Sequence, residues 1–333
     1  MMITELNLKK IAGISLVELM VAIAVGSLLS LGLIDVLINS NQAYRIQNAL
    51  MRVQEEGQFA TEILIKDIRD TDFWGCINNL DEINNHLNPL GSGYTEALMG
   101  YTTALEGQQA VSGGNLINGS DTITIRAAEN IGSGTQVQPP YGPSNASDIN
   151  VPNGSDVRAG DIVLVSDCLQ GDIFQVTNAN AQSTGALAHE AGIASPGNTT
   201  SALSKVYFGD AFVFLPYTRT YSIRTNNEGN PGLYVTDADG TQELVEGVEN
   251  MLILYGEDLN NNGSADRYVR ADSVADMNDV VSVRINLVVA SLENNVTGQV
   301  TPYVFNGQTI TPNDRRLRRV YTRTIVLRNR AEQ

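Results

Sequence analysis

The sequence is poor in cysteine, histidine, aromatic residues and basic residues. Its 333 residues include 2 cysteines, 2 histidines and 1 tryptophan, and aromatic residues make up 6% of the chain. Two cysteines are too few for a disulfide-dense scaffold or a thiolate metal cluster. Acidic residues outnumber basic residues by 37 to 21, which gives a net charge of −16. The bulk surface should therefore repel nucleic acid, and we expect no nucleic-acid binding from it.

Catalytic motifs are missing as well. His86 and His189 stand in unrelated segments and do not form the HExxH spacing of zinc hydrolases. The sequence contains neither a GxSxG nucleophile elbow nor a glycine-rich loop that could hold phosphate. We therefore expect a protein that is not an enzyme and that requires no cofactor.

What the sequence does contain is a long apolar run near its amino terminus. The 16 residues from Leu19 to Ile34 carry no charge, and counted from Ile14 the run reaches 21 residues with Glu18 as its only ionisable member. As a helix, this run would be about 30 Å long, the thickness of a bilayer core. Because two lysines precede the run, the positive-inside rule predicts a cytoplasmic amino terminus and an exported remainder.

Helical periodicity continues beyond the apolar run, so we predict one helix from about Ile14 to about Asp70, roughly 85 Å long. This is too long for a cleavable signal peptide, whose apolar region spans about 7 to 15 residues. Phe59, Ile63 and Ile68 widen the apolar face, and charged residues, Asp67 among them, are expected on the remaining surface. The apolar face is predicted to consist of Ile46, Leu50, Val53, Gly57, Ala60 and Leu64.

The charged side chain of Glu18 is energetically unfavourable inside this apolar span. A carboxylate there costs about 2.5 to 3.5 kcal/mol, and such residues usually have a partner and a function. The span holds no cation, so the partner must come from processing or from another chain. Ala22, Gly26 and Ser30 follow at steps of four and form a small-residue stripe that would allow close helix packing, although glycine is also simply common in membrane helices.

Residues 13–20, GISLVELM, resemble the prepilin motif of type IV pilins and type II secretion pseudopilins. The resemblance implies that a prepilin peptidase cuts after Gly13 and that Ile14 becomes the N-methylated first residue. The family most often has Phe and Thr where this chain has Ile14 and Ser15. The new α-amino group, with a reference pKa of about 7.7 to 8.0, can pair with Glu18 of a neighbouring subunit and fix the axial register of a filament.

After Trp74 the pattern changes to short strands bounded by turn residues. We expect an α+β, type IV pilin-like fold in which a long N-terminal helix packs on an antiparallel β-sheet domain with long loops, mainly within residues 84–160. The expected divisions are a leader (1–13), a membrane or filament-core half of the helix (14–34), an amphipathic half (35–74) and a periplasmic head (75–333). Strands are predicted at 121–127, 160–168, 172–177, 211–224, 232–236, 248–258, 280–291 and 318–330.

The stretches VSVRINLVVAS, YTRTIVLRNR, GCIN and YGEDLNNNGSADRYV are similar to the PilW family of minor pilins. This resemblance implies a minor pilin that primes type IV pilus assembly, at the tip or initiation complex, with a part in twitching motility, adhesion or DNA uptake. One alternative is a J-type pseudopilin of type II secretion. Another is a tip adhesin that uses residues 84–160 and 178–206 as its contact surface.

The same resemblance implies the partners and the location. The partners would be other minor pilins, the major pilin, the prepilin peptidase, the inner-membrane assembly platform and inner-membrane lipid. The chain would be a single-pass protein of the bacterial inner membrane with a periplasmic carboxy-terminal domain, and would later reach the pilus and cell surface.

Three further groups of residues are candidate sites. Oxygen-bearing side chains alternate around Gly263 and could converge on Ca²⁺, or could form a metal-free turn. Export would favour a disulfide between Cys76 and Cys168 over two free thiols. Four arginines form a basic cluster that either contacts a partner or protects an edge strand. The calcium candidates are Asp258, Asn260, Asn262, Ser264 and Asp266, and the cluster is Arg315, Arg316, Arg318 and Arg319.

Overall fold

The computed structural model describes residues 15–77 and 79–331. Its dominant element is the 55-residue helix α1 (Leu16–Asp70). Three single-turn helices follow, α2 (Glu96–Met99), α3 (Ala181–Thr184) and α4 (Arg328–Ala331). Short 3-10 turns occur at Leu80–Glu82, Ala271–Ser273 and Met277–Asp279. We call residues 75–331 the head.

The head contains sixteen strands within its described residues. In chain order they are β1 (Ile83–Asn85), β2 (Leu105–Gln108), β3 (Thr122–Gln136), β4 (Ile149–Asn150), β5 (Ile162–Ser166), β6 (Gly171–Gln175), β7 (Ala186–Leu187), β8 (Phe212–Thr225), β9 (Pro231–Asp237), β10 (Gly240–Glu246), β11 (Val248–Glu257), β12 (Arg267–Val269), β13 (Val280–Ala290), β14 (Tyr303–Phe305), β15 (Gln308–Ile310) and β16 (Arg318–Val326).

Two sheets carry most of these strands. The larger has eight strands in the order β1-β6-β5-β8-β3-β2, with β9 pairing with β8 and β10 with β9. The smaller has four strands in the order β12-β11-β13-β16. Two small ladders, β14-β15 and β4-β7, complete the head. The pairing is antiparallel apart from β1 with β6, so the expected α+β, pilin-like architecture with antiparallel sheets is confirmed.

The outer half of α1 packs into an apolar core that both sheets share. Val53, Ala60, Leu64 and Ile68 are fully buried there. At about 1.5 to 3 kcal/mol for each large apolar side chain, the burial of Val53, Leu64 and Ile68 contributes roughly 5 to 9 kcal/mol. The sheets supply the facing residues, among them Leu105, Ile123 and Tyr221 from the larger and Met251, Ile285 and Leu287 from the smaller.

Gly57 marks the closest approach of α1 to the smaller sheet. The ring of Tyr321 in β16 lies over it, and the Tyr321 hydroxyl donates to the carbonyl of Val53 at 2.9 Å. A Cβ atom at residue 57 would lie 2.2 Å from Cε2 of Tyr321. Only glycine therefore lets the tyrosine ring rest on the helix backbone at this point.

Asp67 is buried, so its predicted place on the solvated surface of α1 is wrong. It accepts hydrogen bonds from the Tyr221 hydroxyl at 2.5 Å and from Nη1 of Arg219 at 3.0 Å. The two donors on β8 compensate the burial of the carboxylate. Phe59 departs from prediction in the opposite way, because it is 53% exposed.

Asp121 joins the two sheets. It precedes β3 in the larger sheet, and its carboxylate accepts from the backbone N–H of Ile253 in β11 at 2.8 Å and from Nη2 of Arg270 at 2.6 Å. Burial raises the pKa of Asp121, and the hydrogen bonds and the Arg270 charge offset only part of this. The carboxylate thus holds β11 against the start of β3.

Several predicted element boundaries were wrong. Residues 84–160 contain β3, which runs to Gln136 through a register shift between Asn130 and Thr135, instead of ending at residue 127. The strand β10 was missed because its exposed edge position gives it a polar sequence, GTQELVE. The last strand ends at Val326, and the predicted residues 328–330 belong to α4.

We predict that Gly57→Ala destabilises the head. Its new methyl group would overlap the Tyr321 ring, and overpacking of this kind costs about 1 to 3 kcal/mol. The matched control is Gly298→Ala, since a Cβ atom there would meet nothing within 4 Å. Thermal unfolding of both variants should show a lower midpoint for Gly57→Ala alone, and equal midpoints would contradict the close approach.

Candidate functional site: the anchor helix, its junction and the head surface

The inner half of α1 makes no contact that buries it. Residues 15–41 are all exposed, and the most apolar 18-residue window of the helix has a mean hydropathy of 2.4 and lies outside the core. By length and composition α1 is able to cross a membrane. This half therefore needs a lipid or protein environment that the head does not supply.

Glu18 lies in the first turn of α1. A carboxylate is favoured there because the helix dipole places partial positive charge at the amino end. Within the described residues no cation pairs with it, and Gly13 and Ile14, the predicted processing residues, lie outside them. The role of Glu18 in assembly stays a prediction.

The small-residue stripe is accessible along one side of the exposed helix. A Cβ atom at Gly26 would meet nothing within 4 Å. The Ser30 hydroxyl donates to the carbonyl of Gly26 at 2.8 Å, so its polar group is satisfied within the helix. Ala22, Gly26 and Ser30 could thus face a neighbouring helix without an unpaired hydroxyl, and their packing role stays a prediction.

The junction between helix and head begins at Gln42. Its Nε2 donates to the carbonyl of Val296 at 2.8 Å. One turn further, Nη2 of Arg45 lies 3.5 Å from Oε2 of Glu293 in an exposed ion pair that contributes little. The contacts strengthen toward Val53 and Gly57, so the helix leaves the head gradually between residues 42 and 53.

Cys76 and Cys168 form a disulfide in the structure. Their Cα atoms are 4.6 Å apart, and 92 positions separate them in sequence. Cys76 lies six residues after the end of α1, and Cys168 follows β5. The bond therefore connects the segment after the helix to the larger sheet, and both residues are exposed.

The candidate calcium residues belong to the turn between β11 and β12. The carboxylate of Asp258 accepts from the backbone N–H groups of Asn262 at 3.1 Å and Gly263 at 2.6 Å. Burial opposes its ionisation, but these N–H groups outweigh burial and lower the pKa of Asp258. The carboxylate of Asp266 accepts from Leu259 N at 2.8 Å and Asn260 Nδ2 at 2.7 Å.

The carboxylate oxygens of this turn are thus already engaged by donors of the same turn. Asn262 Oδ1 likewise accepts from the N–H of Ser264 at 2.9 Å. Residues 15–77 and 79–331 hold no cluster of three or more acidic, histidine or cysteine side chains suited to a metal ion. The donor set fits the metal-free turn that the sequence analysis gave as the alternative to a calcium site.

The arginine cluster divides into members with and without a carboxylate partner among the described residues. Arg318 bonds both oxygens of Glu249, at 2.6 and 2.9 Å, and both oxygens of Asp314, at 2.6 and 2.8 Å. These bonds lower the pKa of Asp314 to about 2. Arg316 lies near the same two carboxylates, and Arg315 donates to the side-chain oxygen of Asn295. Arg319 is exposed and has no ion pair among the described residues.

The head also brings together a histidine, an aspartate and a serine that the sequence does not connect. His86 Nε2 lies 2.6 Å from Oδ1 of the fully buried Asp172. The hydroxyls of Ser204 and Tyr207 donate to Oδ2 of the same aspartate, at 2.5 and 2.6 Å. Burial opposes ionisation of Asp172, yet these hydrogen bonds lower its pKa. The serine bonds to the aspartate and not to the histidine, so the nucleophile–base contact of a catalytic triad is not formed.

We predict that removal of the disulfide destabilises the head strongly. Closing a loop of this length is worth about 4 to 5 kcal/mol in the chain-entropy model. Because both cysteines are exposed, a reductant should lower the denaturation midpoint and raise the intact mass by about 2 Da. The Cys76→Ser, Cys168→Ser variant serves as control, since reductant should not change its midpoint; an unchanged midpoint for the native chain would contradict the prediction.

We predict that the turn between β11 and β12 is stable without calcium. Asp258→Ala leaves the N–H groups of Asn262 and Gly263 without their acceptor, so it should lower the unfolding midpoint equally with calcium and with chelator. Calorimetry with Ca²⁺ should give the same heats for the native chain and for the Asp258→Ala, Asp266→Ala variant. Saturable heat that is lost in that variant would establish a calcium site instead.

Two family models match the chain. The model of the prokaryotic N-terminal methylation motif covers residues 8–34, which contain the expected cleavage position and Glu18. The model described as Type IV Pilus-assembly protein W covers residues 220–329, about a third of the chain, from within β8 to α4. No match was found among curated proteins or solved structures. The carboxy-terminal third of the chain is therefore similar to the PilW pilus-assembly family, and its amino terminus is similar to the prepilin-type methylation motif.

Proposed function

We propose that this protein is a minor pilin of a type IV pilus, cleaved after Gly13 by prepilin peptidase, which joins other minor pilins in the inner membrane and primes pilus assembly. The observation that carries the proposal is the division of α1 into two halves. Residues 15–41 are exposed and mostly apolar, whereas residues between Val53 and Ile68 form part of the core of the head. A subunit of this kind is built to move between a bilayer and the core of a filament.

The size of the head supports a place at the tip or at the base of the filament. After removal of 13 residues, 320 of the 333 residues remain, and 259 of them, residues 75–333, follow the helix segment. A head this large would be bulky in a subunit that is repeated along a thin filament. The match to a pilus-assembly family favours a pilus over the alternative of type II secretion.

Glu18 supplies the specificity of the insertion step in this proposal. Its carboxylate lies at the amino end of α1, four residues after Ile14. Methylation retains the positive charge of the new terminal amine, so an ion pair between Ile14 of one subunit and Glu18 of another relieves two buried charges together. A subunit out of register would leave both charges unpaired in an apolar core, at a cost of several kcal/mol.

We predict that mass spectrometry of the membrane-extracted chain detects an amino-terminal peptide that begins at an N-methylated Ile14. The peptide should be absent from cells that lack the prepilin peptidase, in which the chain keeps its leader. Identical amino termini in both strains, upstream of Ile14, would contradict processing and leave a head on a plain membrane anchor.

We also predict that Glu18→Gln blocks incorporation without blocking cleavage. The substitution keeps the size of the side chain and removes the charge that pairs with the terminal amine, so recovery of the subunit with the other minor pilins should fall about tenfold. Glu62→Gln is the matched control, because Glu62 is an exposed acid on the same helix. Equal recovery of both variants would contradict the role of Glu18, even if processing is confirmed.

A further inference from the structure

The carboxy-terminal strand β16 is an open edge of the smaller sheet. It pairs with β13 through nine residue pairs, from Ser282 with Val326 to Ala290 with Arg318, and the register contains no shift. In the described part of the chain no second strand pairs with it. Nine residues present about 30 Å of edge. An edge this long and regular is a template for another strand.

The hydrogen bonds at the two ends of β16 show which backbone groups face outward. Ser291 N donates to the carbonyl of Leu317, and Leu327 N donates to the carbonyl of Val281. In an antiparallel pair the residues alternate between bonding to the partner strand and pointing away from it. The backbone N–H and C=O groups of the odd-numbered residues of β16 therefore bond to β13. The outward-facing backbone groups are those of Arg318, Val320, Thr322, Thr324 and Val326.

Two arginines flank this edge without a carboxylate partner. Arg319 and Arg323 lie on the same side of the strand as Tyr321, because side chains alternate between the two faces. Both are exposed, and neither has an ion pair within the described residues. Nη1 of Arg323 donates to the carbonyl of Thr322, an outward-facing group that has no strand partner. Arg319 also hydrogen-bonds Tyr321, so both side chains are held beside the edge while their charges lack a carboxylate partner in a chain of net charge −16.

The charges of Arg319 and Arg323 disfavour some strands as partners of the β16 edge and favour others. If two copies of β16 paired antiparallel about Tyr321, Arg319 would lie opposite Arg323, and like charges directly opposite are destabilising. A basic segment would be repelled in the same way. The strand has no proline and no bulge, the devices that close an edge to every partner. A segment with carboxylates opposite both arginines would gain two favourable cross-strand pairs.

We propose that the open edge of β16 binds an extended acidic segment of a partner protein by strand addition. The spacing of the arginines defines the segment: two carboxylates four residues apart, with an apolar residue midway that lies beside Tyr321. The outward-facing backbone groups of β16 would form hydrogen bonds with the backbone of the added strand. The two arginines would favour a segment that carries carboxylates. The proposal does not depend on the role in pilus assembly, since it rests on β16 alone.

The test uses the full-length chain in a nonionic detergent and a fluorescein-labelled peptide, VTETVTETV, whose glutamates are four residues apart around a central valine. Fluorescence anisotropy measures the affinity. The lysine peptide VTKTVTKTV is the charge control.

Arg319→Gln with Arg323→Gln removes the two cations, and Arg69→Gln with Arg158→Gln removes two exposed cations elsewhere. Thr324→Pro removes one outward N–H, which an edge strand tolerates, and Thr324→Val retains it.

We expect saturable binding of the acidic peptide that weakens about tenfold when Arg319 and Arg323 are neutralised, and that is lost with Thr324→Pro. The two control variants and the native chain should bind alike, and the lysine peptide should not bind. If Thr324→Pro fails to fold, a peptide N-methylated on alternate residues replaces it and should not bind. No saturation at millimolar peptide, or binding that survives the proline or the N-methyl groups, would overturn the proposal.

Discussion

One face of α1, from Val53 to Ile68, fills the space between the two sheets, and the rest of the molecule depends on this packing. Both sheets place apolar side chains against this face, so the helix forms part of the hydrophobic core and is not an appendage of a domain that folds without it. The contribution of its three largest buried residues, roughly 5 to 9 kcal/mol, is comparable to the whole stability of an ordinary domain. The buried Asp67 and the Tyr321 contact at Gly57 then fix how the helix lies on the sheets.

This constraint explains how one helix can serve two environments. Because the outer half is held by the head, the inner half projects as a stiff apolar rod, with Glu18 in its first turn. The disulfide between Cys76 and Cys168 connects the segment after the helix to the larger sheet. A displacement of the rod is therefore transmitted to the head as a whole. The proposed transfer of the subunit from a membrane into a filament would need this mechanical continuity.

The sequence predicted the elements whose signals are local. The apolar run and the 3.6-residue periodicity up to Asp70 were evident, and the strands predicted at 211–224, 248–258 and 280–291 correspond to β8, β11 and β13. What it could not predict depends on contacts between distant segments. Asp67 looks like a surface residue until Tyr221 and Arg219, more than 150 positions away, supply its donors. Likewise, no strand was predicted for β10, because this edge strand is largely exposed and its sequence is mostly polar.

Among the candidate sites, too, those with a local sequence signal were predicted, whereas those that depend on contacts between distant segments were not. The prepilin motif is contiguous in sequence and was identified by its resemblance to the motif of type IV pilins. The arginines of the carboxy-terminal strand were visible, but the sequence could not separate Arg318, which is held by Glu249 and Asp314, from Arg319 and Arg323, which have no carboxylate partner among the described residues. That distinction depends on strand register, which a one-residue slip would reverse.

Two truncations test whether the outer half of α1 belongs to the core of the head. A chain that begins at residue 39 keeps the buried face, and a chain that begins at residue 71 lacks it. We expect the longer fragment to be soluble without detergent and to unfold cooperatively, whereas the shorter one should aggregate or lack a cooperative transition in calorimetry. Equal stability of the two fragments would contradict this expectation.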